Sequence, residues 1–167
     1  MTPDRRVIRD AGIHDAVRIA EIYNQSIVRR DATMDTVHLG PSEPAMWMEK
    51  QGPREYLGVV QAQDLVLGWG IIKRYHPRPG YARAAETSVY IDRDHTGQGH
   101  GSAMQTHLVE VARSLDYHHL VAKIWAGNDG SIRMHQRFGY EMVGVQREIG
   151  FVDGQWLDVA ILQLILD

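Results

Sequence analysis

The sequence predicts a single α/β domain in which a mixed sheet is flanked by helices. Short runs rich in β-branched and aromatic residues alternate with segments of helical periodicity. The chain of 167 residues has the length of one domain and shows no internal repeat, low-complexity tract or linker. The predicted order is β-α-(α)-β-β-β-α-β-α-β-β, in one domain spanning residues 1–167.

Elements in the first half follow from periodicity and turn-forming residues. Apolar side chains at helical spacing indicate an amphipathic helix, and two β-rich runs separated by Ala62-Gln63-Asp64 indicate a hairpin. Glycine and proline mark loops. The predictions are a strand at 6–9, a helix at 14–28, a loop at 29–44, a short helix at 45–50, strands at 56–61 and 65–73, and a bend at 75–80.

The second half contains the clearest helix of the chain. Met104, Leu108 and Leu115 share one face of a segment of about five turns. Gly139 follows a shorter helical segment in the position of a C-cap glycine. The predictions are a strand at 87–91, helices at 98–115 and 131–138, and strands at 119–125, 143–149 and 156–166.

Composition excludes several classes of function. The absence of cysteine excludes disulfides, thiolate metal sites and a thiol nucleophile. A net charge of -3 gives no overall attraction to nucleic acid or to an anionic membrane. No segment approaches the roughly 18–20 apolar residues of a membrane span, and no signal peptide is evident. We therefore expect a cytoplasmic protein with neither a nucleic-acid nor a membrane partner.

The nine histidines do not predict a metal site. The chain lacks a His-Glu-x-x-His motif, and the adjacent His118 and His119 point to opposite faces of a predicted strand. We expect no metal.

Glycines alternate at positions 97, 99 and 101, between a predicted strand and a predicted helix. Such glycines expose backbone N–H groups at the positive end of a helix dipole, which is typical of phosphate-binding loops. The loop is not a Walker A motif, because no Gly-Lys-Ser/Thr follows. It also departs from the dinucleotide fingerprint, because Ser102 stands where a third glycine is needed. By itself it could equally be a tight turn.

Two motifs together resemble one enzyme family. Thr-Gly-Gln-Gly-His-Gly at 96–101 resembles the Gln/Arg-x-x-Gly-x-Gly/Ala signature of the GCN5-related N-acetyltransferases (GNAT), although Thr96 replaces the usual Gln or Arg. Asn-Asp-Gly-Ser-Ile-Arg-Met-His-Gln-Arg-Phe-Gly-Tyr at 128–140 resembles the second signature. The chain is most similar to the phosphinothricin and methionine sulfoximine acetyltransferase branch, through Ile-Tyr-Asn at 22–24, Glu-Thr-Ser-Val-Tyr at 86–90, His95, and Arg-Met-His at 133–135.

The resemblance implies a GNAT fold with a mostly antiparallel sheet, acetyl-CoA as cosubstrate, and a homodimer. It assigns the coenzyme A pyrophosphate to the glycine loop and the pantetheine arm to the backbone of the preceding strand. The implied cofactor-binding residues are Val89, Tyr90, Ile91, Gly97, Gln98, Gly99, His100, Gly101, Ser102 and Asn128.

Glu86 and His135 are the catalytic candidates. An acceptor ammonium must lose a proton before its nitrogen can attack, and a carboxylate can remove it; the resemblance implies a catalytic Glu at position 86. The imidazole of His135 is suited to returning a proton to the departing thiolate. A solvated strand-end Glu and a packing or capping His are the structural alternatives.

The substrate side is predicted from charge. A carboxylate on an amino-acid-like acceptor needs a cation, and an arginine fork serves best, although each arginine could equally be a solvated surface charge. The candidate substrate-binding residues are Met34, where the related branch tends to have an aromatic residue, and Arg74, Arg78 and Arg83.

We therefore expect acetyl-CoA-dependent N-acetylation of a small amino-acid-like amine of the phosphinothricin or methionine sulfoximine type. Direct attack in a ternary complex is expected, because no cysteine can form an acyl-enzyme. Two alternatives stay open: another acceptor (a protein N-terminus, a polyamine or an aminoglycoside), or a sensor that binds acyl-CoA without turnover.

Overall fold

A computed structural model describes residues 5–167, in which seven strands form one mixed sheet flanked by four α-helices. The predicted order of elements is confirmed. The elements are β1 Arg6–Asp10, α1 Ala16–Arg29, α2 Ser42–Glu49, β2 Tyr56–Ala62, β3 Leu65–Arg74, β4 Ala84–Ile91, α3 His100–Ser114, β5 His119–Trp125, α4 Asp129–Arg137, β6 Glu141–Val152 and β7 Gln155–Ile165.

The sheet order is β1-β2-β3-β4-β5-β7-β6, and β4 and β5 are its parallel neighbours. Helix α3 forms the crossover that a parallel connection requires. Within the described chain, β4 pairs with β5 only from Ala84 to Glu86, opposite His119 to Val121, whereas β4 runs on to Ile91. Beyond Glu86 the two strands therefore separate, and we call the space between them the β4/β5 gap.

Two apolar clusters cover the two faces of the sheet. On the α3 side, Ile72 and Ala85 pack with Met104 and Leu108, all of them buried. Burying an Ile, Leu or Met side chain stabilises the fold by about 1.5–3 kcal/mol. Helix α4 lies on the same side, because its Ile132 packs against this cluster.

The opposite face, the α1 side, is covered by α1 and α2. Ile19 and Ile22 of α1 pack with Trp69 and Ile71 of β3, and Tyr90 of β4 contacts the same cluster. Because side chains alternate along a strand, Glu86 shares the α1 side with Tyr90.

Several element boundaries differ from the prediction. Helix α2 begins at Ser42, inside the predicted loop, because Pro44 lies in its first turn, where no intrahelical N–H bond is lost. Strand β4 begins at Ala84 rather than at 87, because pairing with β3 overrides the weak strand preference of alanine. Pro79–Tyr81 forms a 3₁₀ turn within the predicted bend and just beyond it.

Candidate functional site

A cavity of about 600 Å³ occupies the β4/β5 gap. Thr87 and Ala122 line it from the α3 side, whereas Tyr90 and Lys123 line it from the α1 side. The glycine loop and α4 complete the wall. The predicted residues on this wall are Val89, Tyr90, Ile91, Gly97, Gly99, His100, Gly101, Ser102, Asn128 and His135.

The glycine loop has the backbone geometry of an anion-binding turn. Gly97 and Gly99 adopt φ of 74° and 81°, in the left-handed region that favours glycine. Helix α3 begins directly after Gly99, so the N–H groups of its first turn have no intrahelical acceptor. Together with the helix dipole, these donors can bind a phosphate.

Arg6 of β1 fixes this loop from outside the motif. Its guanidinium donates to the carbonyl oxygens of Gly99 at 3.0 Å and Gln98 at 3.1 Å. Gln98 is exposed and accepts its hydrogen bond from Arg6 through its backbone carbonyl. The sequence reasoning missed Arg6, because a contact spanning 93 residues leaves no local pattern.

Helix α4 presents Asn128 and His135 to the cavity. Asn128 is the N-cap, and its Oδ1 accepts from the N–H of Ser131 at 3.2 Å. Its amide N–H groups remain the donors it can offer a ligand.

His135 is buried, and Nδ1 donates to the Ser131 carbonyl oxygen at 2.8 Å. Burial lowers the pKa of His135 below its ordinary value, outweighing the opposing effect of that hydrogen bond. The ring also stands edge-on against Tyr140, with centroids 5.0 Å apart. The favoured form is therefore the neutral imidazole with the proton on Nδ1, which leaves Nε2 as a proton acceptor.

Glu86 lies at the point where the gap opens. Its Oε2 is 3.2 Å from Nζ of Lys123, which lines the cavity. Both side chains are partly exposed, at 30% for Glu86 and 47% for Lys123. Because α4 lies on the α3 side, Glu86 and His135 occupy opposite sides of the sheet.

An aromatic cluster lies on the α1 side, the face of the sheet that also carries Glu86. The rings of Trp69 and Tyr90 stack with centroids 4.7 Å apart, and Tyr23 meets Tyr90 edge-on at 5.0 Å. Burial raises the pKa of Tyr90 and raises that of Tyr23 to about 12. Both phenols are therefore favoured in the protonated form near neutral pH.

The loop between α1 and α2 is held at the cavity by polar contacts. Arg93 lines the cavity and donates to Asp31 at 2.6 Å and to Ser26 at 3.0 Å. Arg30 donates to Asp153 in the β6–β7 turn at 2.7 Å. Arg93 and Lys123 are functional candidates that the sequence reasoning missed, although Lys123 carries the one charge inside an otherwise apolar strand.

The predicted substrate-binding residues do not meet at this cavity. Arg74 donates to the Pro77 carbonyl oxygen at 2.7 Å, and Arg83 pairs with Asp116 at 2.7 Å. Arg78 is exposed. Met34 packs over Gly150, where an added Cβ would lie 2.6 Å from its sulfur. Within the described chain these four residues are not on the wall, and their role stays a prediction.

Neither a metal cluster nor a membrane helix is found in residues 5–167. No group of three or more His, Asp or Glu side chains is placed to hold a metal ion in this part of the chain. None of the helices described there is long and apolar enough to cross a bilayer.

Known proteins of similar sequence are N-acetyltransferases. The L-methionine sulfoximine/L-methionine sulfone acetyltransferase of Pseudomonas aeruginosa is 33% identical over 162 residues, covering 96% of this chain and 94% of that protein. The phosphinothricin N-acetyltransferase of Streptomyces coelicolor is 31% identical over 157 residues, covering 92% of each.

Solved structures share the fold. The yncA protein of Salmonella typhimurium, determined with its cofactor acetyl-CoA, superposes with a TM-score of 0.93 at 28% identity, covering 98% of this chain and 95% of that one. A phosphinothricin acetyltransferase from Sinorhizobium meliloti in complex with acetyl-CoA gives a TM-score of 0.91 at 28% identity, covering 96% of this chain and 88% of that one.

Residues 8–161 match the family model of the acetyltransferase (GNAT) domain. The fold predicted from the two motifs is confirmed. The chain belongs to the GNAT family of acetyltransferases and is an acyltransferase.

Proposed function

We propose that this protein transfers the acetyl group of acetyl-CoA to the amine of a small amino-acid-like acceptor of the phosphinothricin or methionine sulfoximine type. The observation that carries this proposal is the cavity in the β4/β5 gap, which extends from the N-terminus of α3 to Lys123, the ion-pair partner of Glu86. The acceptors named for the relatives support this class. One catalytic domain, predicted to span residues 1–167, performs the reaction.

The glycine loop fits the diphosphate of acetyl-CoA. The N–H groups in the first turn of α3 have no intrahelical acceptor, and Gly97 and Gly99 keep side chains away from them. In this proposal, acetyl-CoA supplies an acetyl thioester when bound. The β4 backbone from Val89 to Ile91 faces the gap without a β5 partner in the described chain, so those of its N–H groups that point away from β3 can bind the pantetheine amides and polarise the thioester carbonyl. Asn128 offers an amide to the same ligand.

Glu86 is the proposed base, directly or through a water. A protonated acceptor has no lone pair for attack, so its first proton must leave before the carbon–nitrogen bond forms. Glu86 lies on the acceptor side of the gap and can pass that proton to solvent, since its carboxylate is partly exposed.

His135 is the proposed carrier of the second proton. The acceptor nitrogen loses another proton as the amide forms, while the departing thiolate gains one. A neutral imidazole can accept this second proton from the nitrogen at Nε2 and then deliver a proton to the thiolate within one turnover, so His135 need not be protonated beforehand. The reaction balances as ammonium plus thioester giving amide, thiol and one released proton.

The test is a thiol-release assay with acetyl-CoA and a panel containing L-methionine sulfone, L-methionine sulfoximine, L-phosphinothricin, spermidine, an aminoglycoside and an N-terminal peptide. We expect turnover with the three amino acids. A preference for another acceptor class would overturn the acceptor assignment. Acetyl-CoA binding without turnover on any acceptor would favour a sensor.

We also propose a homodimer that forms through the β6–β7 hairpin. Strand β6 is at the edge of the sheet, and the hairpin exposes apolar side chains on both strands. An exposed apolar edge is a site of pairing. These residues are Met142, Val143, Val145, Ile149, Phe151, Trp156 and Ile165.

The proposed location is the cytoplasm, and the proposed reaction uses no metal.

A further inference from the structure

Lys123 lies beside the proposed base, but it has no role in the proton transfers of the proposed reaction. It lies two residues beyond Val121, the β5 partner of Glu86, and therefore on the same face of the sheet. Its ammonium is 3.2 Å from the Glu86 carboxylate, and the side chain lines the cavity. A positive and a negative group thus stand side by side at the acceptor end of the gap.

Stability does not explain this pair. Partly exposed ion pairs contribute little to folding, typically about 0–1 kcal/mol. On this face of β5, Lys123 stands between Val121 and Trp125, so its neighbours along the strand are an apolar and an aromatic side chain. The long side chain of Lys123 is half exposed, which leaves it free to move away from Glu86 when another anion is available.

We propose that Lys123 binds the carboxylate of the acceptor and so selects zwitterionic amino acids. An α-amino acid carries its ammonium and carboxylate on one carbon. The ammonium pairs with Glu86 and the carboxylate with Lys123, so that the substrate replaces the internal ion pair. This inference rests on the proposed function and names the group that recognises its substrate class.

Other cations near the site are less suited to this role. Arg93 is engaged with Asp31 at 2.6 Å. Lys73 faces Glu86 across the β3–β4 ladder, but its ammonium lies over the ring of Trp47, 5.7 Å from the centroid. Lys123 is the cation in direct contact with the proposed base.

The same charge discriminates against other acceptors. A polyamine or an aminoglycoside brings additional positive charges that meet the ammonium of Lys123. An alkylamine without a carboxylate lacks the group that Lys123 binds. The selectivity therefore depends on the acceptor carboxylate rather than on the shape of its side chain.

The test compares L-methionine sulfone with its decarboxylated counterpart, 3-(methylsulfonyl)propylamine. K123M keeps the length of the side chain and removes its charge, K123R restores a charge, and K73M is the matched control for charge loss on the same face. Each variant is compared with wild type on the same acceptor, so the different amine pKa values of the two acceptors cancel. Melting temperature and the dissociation constant for acetyl-CoA report on folding and on the other substrate.

We expect K123M to lose about 10- to 100-fold in kcat/KM for the sulfone, mainly through KM, and less than about threefold for the amine. K123R should recover most of the loss, and K73M should lose about equally little on both acceptors. An equal loss on both acceptors in K123M, or no loss, overturns the inference while the proposed function stands. If wild-type protein acetylates no amino acid of the panel, the proposed function fails and this inference fails with it.

Discussion

Nδ1 of His135 donates a hydrogen bond to the carbonyl oxygen of Ser131, one turn earlier in α4, at 2.8 Å. This contact keeps one ring proton on Nδ1 and presents Nε2 as a lone pair. Burial against Tyr140 disfavours a second proton, and the pKa of His135 is accordingly lowered. His135 is thus a buried ring whose protonated form is disfavoured, and this effect can be measured through the pH dependence of stability.

The first prediction concerns stability against pH. Burial lowers the pKa of His135 in the folded protein, so the contribution of the neutral ring to folding stability is fully present above the ordinary pKa of about 6.5. This contribution is lost as the pH falls below that value, because the unfolded chain then takes up a proton. H135F removes this titrating group, which changes the free energy of unfolding by at most about 1.4 kcal/mol per pH unit. Melting curves at pH 7.5 and 5.5 should show a smaller decrease for H135F than for wild type. The exposed-site variant H118N should behave like wild type, and an unchanged decrease in H135F would contradict the prediction.

The second prediction concerns the proposed base. Glu86→Gln should keep acetyl-CoA affinity and lose about 100-fold or more in kcat near pH 7, which is the contribution of a positioned base. The deficit should shrink as the pH rises, because the acceptor then loses its proton to solvent. Calorimetric binding and a pH–rate profile measure the two effects. A variant as active as wild type at pH 7 would remove Glu86 from the mechanism.

The third prediction concerns the left-handed loop. A side chain at Gly99 costs about 1–2 kcal/mol because φ is 81°. The added Cβ of G99A meets only the Arg6 guanidinium, 3.7 Å away, so backbone strain rather than a clash should dominate. We expect a severalfold higher KM for acetyl-CoA and little change in the acceptor KM. G80A is the matched control, because Gly80 has open space and no left-handed φ, and it should leave both constants unchanged.

The fourth prediction concerns Arg6. R6M removes both donors to the loop carbonyls and should raise the KM for acetyl-CoA about three- to tenfold, because each lost hydrogen bond loosens the anion-binding turn. The neighbouring Arg5 is exposed, and R5M controls for the lost charge. Steady-state kinetics at saturating acceptor measure the effect. If R5M and R6M raise KM equally, long-range charge rather than loop geometry is responsible.

The fifth prediction concerns the proposed dimer. Phe151 and Trp156 face each other across the β6–β7 hairpin with ring centroids 4.7 Å apart, and both are exposed. F151E introduces a charge on this apolar edge and should shift sedimentation from dimer to monomer. The exposed Val37, in the loop before α2, is the site of the control V37E, which should leave the mass unchanged. A monomeric wild type would overturn the proposed interface.

Much of the cofactor side could be predicted from the sequence because its signals are local. Alternating glycines at 97, 99 and 101 require the unusual backbone angles of a tight turn, and two of them adopt a left-handed φ. Asn128 is recognisable as an N-cap, because capping acts within three residues. The helices and strands follow from periodicities of 3.6 and 2, which operate over a single turn or a few strand positions.

The acceptor side was decided by tertiary structure. The arginines predicted from charge lie away from the cavity, whereas Lys123, on a different strand from Glu86, stands against that carboxylate. Likewise Arg6 reaches the glycine loop although 93 residues separate it from Gly99 along the sequence. The β4/β5 gap itself arises because pairing stops after Glu86. The sequence alone therefore determined the order of elements and the glycine turn before α3, since both depend on neighbouring residues. Strand pairing, which joins distant residues, decided which charges lie at the β4/β5 gap.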